Sequence, residues 1–168
     1  METPPNSSLT DEEKRDCVCR LAFGGDAARL TEFCEIVRTS IPQGTGVVLR
    51  GSAVTGVRWK DGAPFDADGP GTSDLDLTLV GDAAVGLFKP TGFWVPGIHS
   101  RPLSDTDADI APDLVPLRDR LVRMTGRPVN IQATRDWVMY LRGELLDQPY
   151  LTLIEKEHDL DPLKGIGQ

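Results

Sequence analysis

The chain has 168 residues and a formal net charge of −8, with 26 acidic and 18 basic side chains. Its length predicts one domain with a substantial core, and its acidity argues against broad nucleic-acid binding, which depends on clustered Lys and Arg. No apolar run approaches the roughly 20 residues of a membrane-spanning helix. Because the polar N-terminus also lacks signal-peptide features, we expect a cytoplasmic protein.

The first elements predicted along the chain are two helices. We expect residues 1–9 to form a mobile tail, and Thr10 followed by three acidic residues is typical of a helix N-terminus. Apolar residues at helical spacing follow, until Gly24 and Gly25 end the helix. Asp26 is the expected cap of the second helix.

Two strands separated by a long loop are predicted next. Residues 46–49 form a short apolar, β-rich run that Gly51 and Ser52 terminate. Residues 57–73 are rich in Gly, Pro and Asp, which predicts a loop. Charged and apolar residues then alternate over 74–80, a pattern that indicates a strand.

The second half of the chain is less regular. Prolines and glycines punctuate residues 81–112, which we interpret as an irregular insertion. Asp113 is the expected cap of a helix that reaches residue 124 and ends at Gly126. The sequence predicts another strand over residues 128–133 and a helix that starts at Thr134 and runs toward residue 146. One more helical turn and a tail are expected at the end.

The order of these elements predicts a compact α/β (α+β) domain over residues 10–168, with a small mixed sheet flanked by helices. Three cysteines, Cys17, Cys19 and Cys34, are expected to be free thiols. Cys17 and Cys19 have a faintly metal-like spacing. However, too few other soft ligands are available to make a zinc site the favoured interpretation.

Two features of the predicted strands carry chemistry. Gly51 allows a sharp turn and the close approach of a ligand, and Ser52 adds a hydroxyl donor, so this pair suits a phosphate tail. Asp74 and Asp76 lie two positions apart, which places both carboxylates on one face of a strand. Because like charges repel unless a positive group lies between them, a divalent cation such as Mg²⁺ is the expected partner.

The order of these motifs resembles the nucleotidyltransferase superfamily related to DNA polymerase beta. In that family a hydrophobic residue, a glycine and a serine precede a strand that carries Asp-x-Asp. The matching segments here are LRGS at 49–52 and SDLDL at 73–77. Residues 114–121 followed by TGRPV at 125–129 are similar to the helix, glycine turn and third strand of the minimal nucleotidyltransferases. The resemblance covers about residues 46–146.

The resemblance implies a nucleotidyltransferase-like core and metal-dependent nucleotidyl transfer. Asp74 and Asp76 would be catalytic residues that hold Mg²⁺ or Mn²⁺. Gly51 and Ser52, with Ser73 beside them, would bind the phosphates of an NTP such as ATP. A nucleoside monophosphate would then pass to an acceptor, and pyrophosphate would leave.

Asn130 is the main departure from the family pattern, because the family has its third catalytic carboxylate at this position. Asparagine can offer a carbonyl oxygen to a metal, but it carries no charge and cannot accept a proton from an attacking hydroxyl. Nucleotide binding is therefore expected to survive better than turnover. One of Asp105, Asp107 and Asp109 could substitute for the missing carboxylate. A smaller departure is the separation of 22 positions between Ser52 and Asp74, which an inserted loop explains.

Several other residues have both a functional and an ordinary interpretation. The sequence around Asp66 and Asp68 resembles part of a calcium loop, but a solvated hairpin-like loop is favoured because the closing Glu is absent. Arg58 and Lys60, like Arg50, can contact a triphosphate, although basic residues are usually surface groups. Trp59, Trp94 and Trp137 can stack on a base, although packing in the core is commoner.

The leading hypothesis is a Mg²⁺-dependent nucleotidyltransferase whose acceptor is a small molecule or a protein rather than long nucleic acid. The alternative is a catalytically weakened nucleotide-binding or partner-binding module, similar to the antitoxin halves of paired systems. A third possibility is a structural domain with a fortuitous motif. Residues 81–112 follow the Asp-x-Asp strand directly, so they are also a candidate lid.

Overall fold

A computed structural model describes residues 9–135, 138 and 148–156 of the chain. Most of the predicted N-terminal tail and the predicted helix between residues 134 and 146 therefore lie outside the described residues. The described part contains five α-helices: α1 (Asp11–Ala22), α2 (Ala27–Ser40), α3 (Ser52–Thr55), α4 (Asp82–Val85) and α5 (Val115–Thr125). It also contains six β-strands: β1 (Gly46–Arg50), β2 (Leu75–Val80), β3 (Phe93–Val95), β4 (His99–Ser100), β5 (Val129–Thr134) and β6 (Tyr150–Ile154).

The strands form one mixed sheet of six strands in the order β3-β4-β5-β2-β1-β6. The central strands β2 and β5 are parallel, and the other neighbouring strands are antiparallel. With helices flanking this sheet, the molecule belongs to the mixed α+β class. The predicted combination of a small mixed sheet and flanking helices is confirmed at this level.

Both predicted N-terminal helix caps are present. The Thr10 hydroxyl oxygen accepts a hydrogen bond from the backbone N–H of Glu13 at 3.1 Å, and Asp26 accepts one from the N–H of Ala28 at 3.0 Å. These bonds satisfy amide groups that the first helical turn leaves without an intrahelical partner. Gly126 ends α5 with a left-handed backbone (φ +67°), as the sequence predicted.

The predicted cap of α5 is wrong. Asp113 lies within a short 3₁₀ turn, Pro112–Leu114, and the helix itself begins only at Val115 with no side-chain cap. The tight turn buries Leu114 in the core at 1% exposure, so tertiary packing decides where the helix begins. The Asp113 side chain is left exposed.

The prediction of a further helical turn at the end of the chain is also wrong for the described residues. Residues Tyr150–Ile154 form an edge strand that pairs antiparallel with β1. Their sequence, YLTLI, contains the β-branched and aromatic residues that favour strands. Leu151, which is 2% exposed, anchors this strand in the core.

Residues 81–112 contain only short elements, as predicted. The β3–β4 hairpin extends the sheet beyond β5, and six buried residues of the segment contribute to the main core, of which Phe88, Leu103 and Ile110 are the largest. Leu103 also forms an isolated antiparallel bridge with Ile131. This segment is therefore built into the edge of the sheet.

The two faces of the sheet differ in character. Leu49, Leu77 and Ile131 point into one large core, which also contains the buried side chains of the helices. The alternate residues point the opposite way, where polar side chains predominate and Val48 and Val80 form a small separate cluster. Period-2 alternation along β1, β2 and β5 thus separates the core from a polar face. Within the described residues, no helix has the length and apolar character needed to cross a membrane.

Candidate functional site

Strands β1, β2 and β5 align Arg50, Asp76 and Asn130 in one row across the polar face. Arg50 at the end of β1 pairs with Asp76 on β2, and Asp76 pairs with Asn130 on β5. Residues at paired positions on neighbouring strands point to the same side of a sheet. The register therefore brings Asp76 and Asn130 together, although 54 positions separate them in sequence.

The Asn130 amide nitrogen lies between two carboxylates. It donates one hydrogen bond to Asp74 Oδ2 at 2.7 Å and another to Asp76 Oδ1 at 3.0 Å. Asp74 immediately precedes β2, and all three side chains are partly buried. The two carboxylates thus converge on one point, where a positively polarised N–H group reduces their repulsion.

Gly51 forms the turn after β1, next to the Asp76 carboxylate. Its backbone has φ +99° and ψ −171°, a region that only glycine adopts readily. A Cβ atom added here would lie 3.1 Å from Asp76 Oδ2. A side chain at this position would therefore be strained by its positive φ and would require the Asp76 carboxylate to shift slightly. The short helix α3 begins at the next residue, Ser52.

We expect Gly51→Ala to lower the free energy of unfolding by about 1–3 kcal/mol, because it combines backbone strain with the contact to Asp76. Urea denaturation measures this change. Gly62→Ala is the matched control, because Gly62 also has a positive φ (+71°) but no neighbouring atom within 4 Å of the added Cβ. Equal losses in the two variants would show that the approach to Asp76 imposes no constraint.

The Gly51 turn and the two carboxylates beside it line a cavity of about 360 Å³, within the usual size range of small-molecule sites. Its wall includes Gly51 and Ser52 from the turn after β1, and Ser73, Asp74 and Asp76 from β2 and its approach. Asn130 is not in this wall but donates hydrogen bonds to both carboxylates. The structure thus brings together Asp74, Asp76 and Asn130 with the predicted phosphate-binding residues Gly51, Ser52 and Ser73.

A smaller cavity of about 190 Å³ adjoins the first. The two share Gly51, Trp59 and Asp76 in their walls, and Arg50, Gln148 and Pro149 also line the smaller one. Together they form one cleft along the end of β1. Arg50 donates from Nε to Thr78 at 3.2 Å and from Nη2 to Gln132 at 2.5 Å, so its guanidinium lies along the polar face.

The loop between Ser52 and Asp74 forms the outer wall of the cleft. Val57 and Pro64 pair as an isolated antiparallel bridge, and a tight turn connects them. This turn brings Arg58, Trp59 and Lys60 to the larger cavity. The inserted residues are therefore a small hairpin that contributes two basic side chains and an aromatic one to the site.

An ion pair that the sequence did not predict holds this hairpin. Arg127 donates to both carboxylate oxygens of Asp66, at 2.9 and 3.2 Å, and to the backbone oxygen of Ser73 at 2.8 Å. Its guanidinium also lies 4.5 Å from the centre of the Phe65 ring. Arg127 is only 8% exposed in its side chain, so the base of the loop is fixed against the start of β2.

Asp66 is thus a structural anchor rather than a solvated loop residue. Its carboxylate also accepts hydrogen bonds from the backbone N–H groups of Ser73 and Gly71. The hydrogen bond from Arg127, with these amide donors, holds the pKa of Asp66 far below its usual range. The Ser73 hydroxyl accepts a bond from the Asp66 N–H at 2.7 Å, so Ser73 belongs to this anchor as well as to the cavity wall. No sequence signal linked Asp66 to Arg127, because 61 positions separate them.

The suggested substitutes for a third carboxylate are not at the site. Asp105 forms an ion pair with Arg118 at 2.6 Å, and Asp107 forms one with Arg101 at 3.1 Å. Neither they nor Asp109 lines the cleft. Residues 81–112 contribute no side chain to either cavity, so the interpretation of this segment as a lid is not supported. The 57–73 loop borders the site instead.

Three carboxylates line the cleft, those of Asp68, Asp74 and Asp76, and Asp68 forms an ion pair with Arg58 at 3.5 Å. The potential metal ligands are therefore Asp74 and Asp76, with the amide of Asn130 hydrogen-bonded to both. No cluster of three or more His, Cys, Asp or Glu side chains suited to a metal ion occurs among residues 9–135, 138 and 148–156. All three cysteines are free thiols. Burial raises the pKa of Cys17 and of Cys34, which makes these two thiols poor metal ligands and poor nucleophiles. Two carboxylates still suit Mg²⁺, which often completes its shell with water and phosphate oxygens.

Comparisons of the chain with protein-family models, curated proteins and solved structures gave no match. The site is therefore interpreted from its own geometry.

Proposed function

We propose that the cleft binds an NTP together with Mg²⁺ or Mn²⁺ and transfers its nucleoside monophosphate to an acceptor, as nucleotidyltransferases related to DNA polymerase beta do. The observation that carries this proposal is that Asp74 and Asp76 both accept hydrogen bonds from the Asn130 amide nitrogen, at 2.7 and 3.0 Å, so the two carboxylates lie close together in a cleft that the Gly51–Ser52 turn also lines. Two adjacent carboxylates beside an open backbone turn suit a metal-bound polyphosphate.

Each residue has a specific part in this proposal. Asp74 and Asp76 would hold the metal, which supplies positive charge to the carboxylates and to the phosphate oxygens. Gly51 provides space for a phosphate close to Asp76, and the hydroxyls of Ser52 and Ser73 can donate to phosphate oxygens. Asn130 holds the two carboxylates in position, and a half-turn of its amide would present its oxygen to the metal.

A second candidate function is nucleotide or partner binding without turnover, and Asn130 is the observation that favours it. Its amide cannot accept a proton from an attacking hydroxyl, and the carboxylates of Asp105, Asp107 and Asp109 do not line the cleft. The acidic chain, with a net charge of −8, favours a small molecule or a protein over long nucleic acid as the acceptor or partner.

We expect Mg²⁺ and at least one of the four NTPs to raise the melting temperature of the wild-type protein together. A ligand at about 100 times its Kd that binds only the folded state adds about 2.7 kcal/mol of stability. In a domain of this size, this corresponds to a shift of about 5–10 °C. Thermal-shift titrations with Mg²⁺ and with EDTA measure it, and the shift should be absent in Asp74→Asn/Asp76→Asn.

The matched control is Asp109→Asn/Asp113→Asn, which removes the same charge from two exposed positions outside the cleft. This variant should keep the full nucleotide shift. A shift that survives in Asp74→Asn/Asp76→Asn, or no shift with any NTP in the wild type, would contradict nucleotide binding at this site. Release of pyrophosphate from the bound NTP then separates an enzyme from a binding module.

A further inference from the structure

Trp59 lies at the surface rather than in the core. It is 56% exposed, although the large hydrophobic side chains of the described residues are mostly buried. It is also shared by the walls of both cavities. An exposed tryptophan at the junction of two cavities offers a flat surface to a ligand that extends from one into the other.

The two cavities differ in the chemistry of their walls. The larger one contains the carboxylates of Asp74 and Asp76, the Arg58–Asp68 ion pair, the basic side chain of Lys60 and several hydroxyl groups, which suits a polyphosphate and its cation. Besides the shared residues, the described part of the chain contributes Arg50, Gln148 and Pro149 to the smaller one. At about 190 Å³ it is smaller than a site for a whole ligand, so with Trp59 in its wall it suits one planar part of a ligand.

The backbone around Trp59 is well supported. Arg58 N–H donates to Ala63 at 2.7 Å, Gly62 N–H donates to Arg58 at 2.8 Å, and Phe65 N–H donates to Gly56 at 2.9 Å. These bonds close the turn that carries Trp59, and the Arg127–Asp66 ion pair fixes its base. Because the turn is already ordered, stacking on Trp59 would require little further loss of backbone entropy.

We propose that Trp59 stacks on the nucleobase of the bound NTP, with the base in the smaller cavity and the triphosphate in the larger one. This inference rests on the proposed function. Trp59 would be a binding residue that accepts any base, because every base has a π-face. The hairpin of residues 57–64, rather than the insertion at 81–112, would then determine the affinity for the nucleoside part.

The test compares a ligand that has a base with one that has none. Calorimetric titrations in Mg²⁺ measure the binding of ATP and of inorganic tripolyphosphate to the full-length chain. We expect Trp59→Ala to weaken ATP binding about 5- to 150-fold and to leave tripolyphosphate binding unchanged. Trp59→Phe should retain most of the ATP affinity, because a phenyl ring also stacks.

Trp94→Ala is the matched control, because Trp94 is 64% exposed but lines neither cavity. Tryptophan fluorescence gives a second measurement: ATP should quench the emission of wild type and of Trp94→Phe much more than that of Trp59→Phe.

Undiminished ATP affinity in Trp59→Ala would overturn the inference and leave the proposed function standing. Equal loss of both ligands would show that Trp59 only supports the hairpin, which also overturns it. If neither ligand binds the wild type in a Mg²⁺-dependent way, the proposed function fails and the stacking role fails with it.

Discussion

Asn130→Asp is expected to make the stability of the protein depend on Mg²⁺. In the wild type the Asn130 amide donates hydrogen bonds to Asp74 and Asp76. An aspartate removes these donors and adds a third negative charge at the same point. Because hydrogen bonds to charged groups contribute about 1.5–3 kcal/mol each and two are lost, we expect the melting temperature in EDTA to fall by about 6–24 °C.

Addition of Mg²⁺ should restore most of this loss, because a divalent cation offsets the three carboxylates. If the chain is a weakened nucleotidyltransferase, the variant should also release pyrophosphate from an NTP faster, by about 100-fold or more, the usual effect of a positioned general base. Thermal melts in EDTA and in Mg²⁺, with a pyrophosphate assay, measure both effects. Faster release of pyrophosphate would favour the nucleotidyltransferase. A rise in melting temperature with Mg²⁺ but no faster release would favour the nucleotide-binding or partner-binding module.

Asn130→Ala is the control for this experiment, because it removes the two hydrogen bonds without adding charge. It should be destabilised in EDTA, with less recovery in Mg²⁺ than Asn130→Asp, and it should gain no turnover. If Asn130→Asp melts at the same temperature in EDTA and in Mg²⁺, the three side chains do not form a common cation site.

Arg127→Met is expected to lower the free energy of unfolding by about 3–5 kcal/mol, the usual effect of breaking a buried ion pair. It leaves the Asp66 carboxylate, which is 22% exposed in its side chain, without its cation. It also removes the contact with the Phe65 ring. Urea denaturation measures the loss.

Arg38→Met is the matched control. Arg38 also pairs with an acidic residue, Glu35, but the two side chains are 61% and 55% exposed. Exposed pairs contribute about 0–1 kcal/mol because water screens them. A loss in Arg127→Met no larger than that in Arg38→Met would contradict the role of Arg127 as the anchor of the 57–73 loop.

The same ion pair predicts how stability changes with pH. Because the pKa of Asp66 is lowered in the folded protein, its stabilising contribution is complete above the unfolded pKa of about 3.9. As the pH falls below this value, the unfolded chain takes up the proton first and the contribution is lost. Asp66→Asn should therefore be less stable than the wild type at pH 6, and this difference should shrink toward pH 2. A difference that stays constant over this range would contradict the low pKa.

The local sequence was sufficient for the elements whose patterns are repeated and unambiguous. Thr10 and Asp26 cap their helices, and β2 and β5 begin and end within one residue of the predicted limits. Caps and period-2 alternation depend on interactions between near neighbours, so the sequence contains them directly. At Asp113 packing competed with the local capping signal and the prediction was wrong. At Tyr150–Ile154 the predicted helical turn was wrong although the local residues favour a strand.

The sequence by itself determined the chemistry that the candidate site offers: a Gly-Ser turn, two carboxylates on one strand face, and an asparagine on a later strand. Only the tertiary structure decided that Asn130 lies between Asp74 and Asp76, because this contact depends on the parallel pairing of β2 with β5. It also decided that Arg127 anchors Asp66 and that Trp59 borders the cleft. Such long-range contacts depend on how the strands and loops pack, and a single sequence has no local signal for that packing.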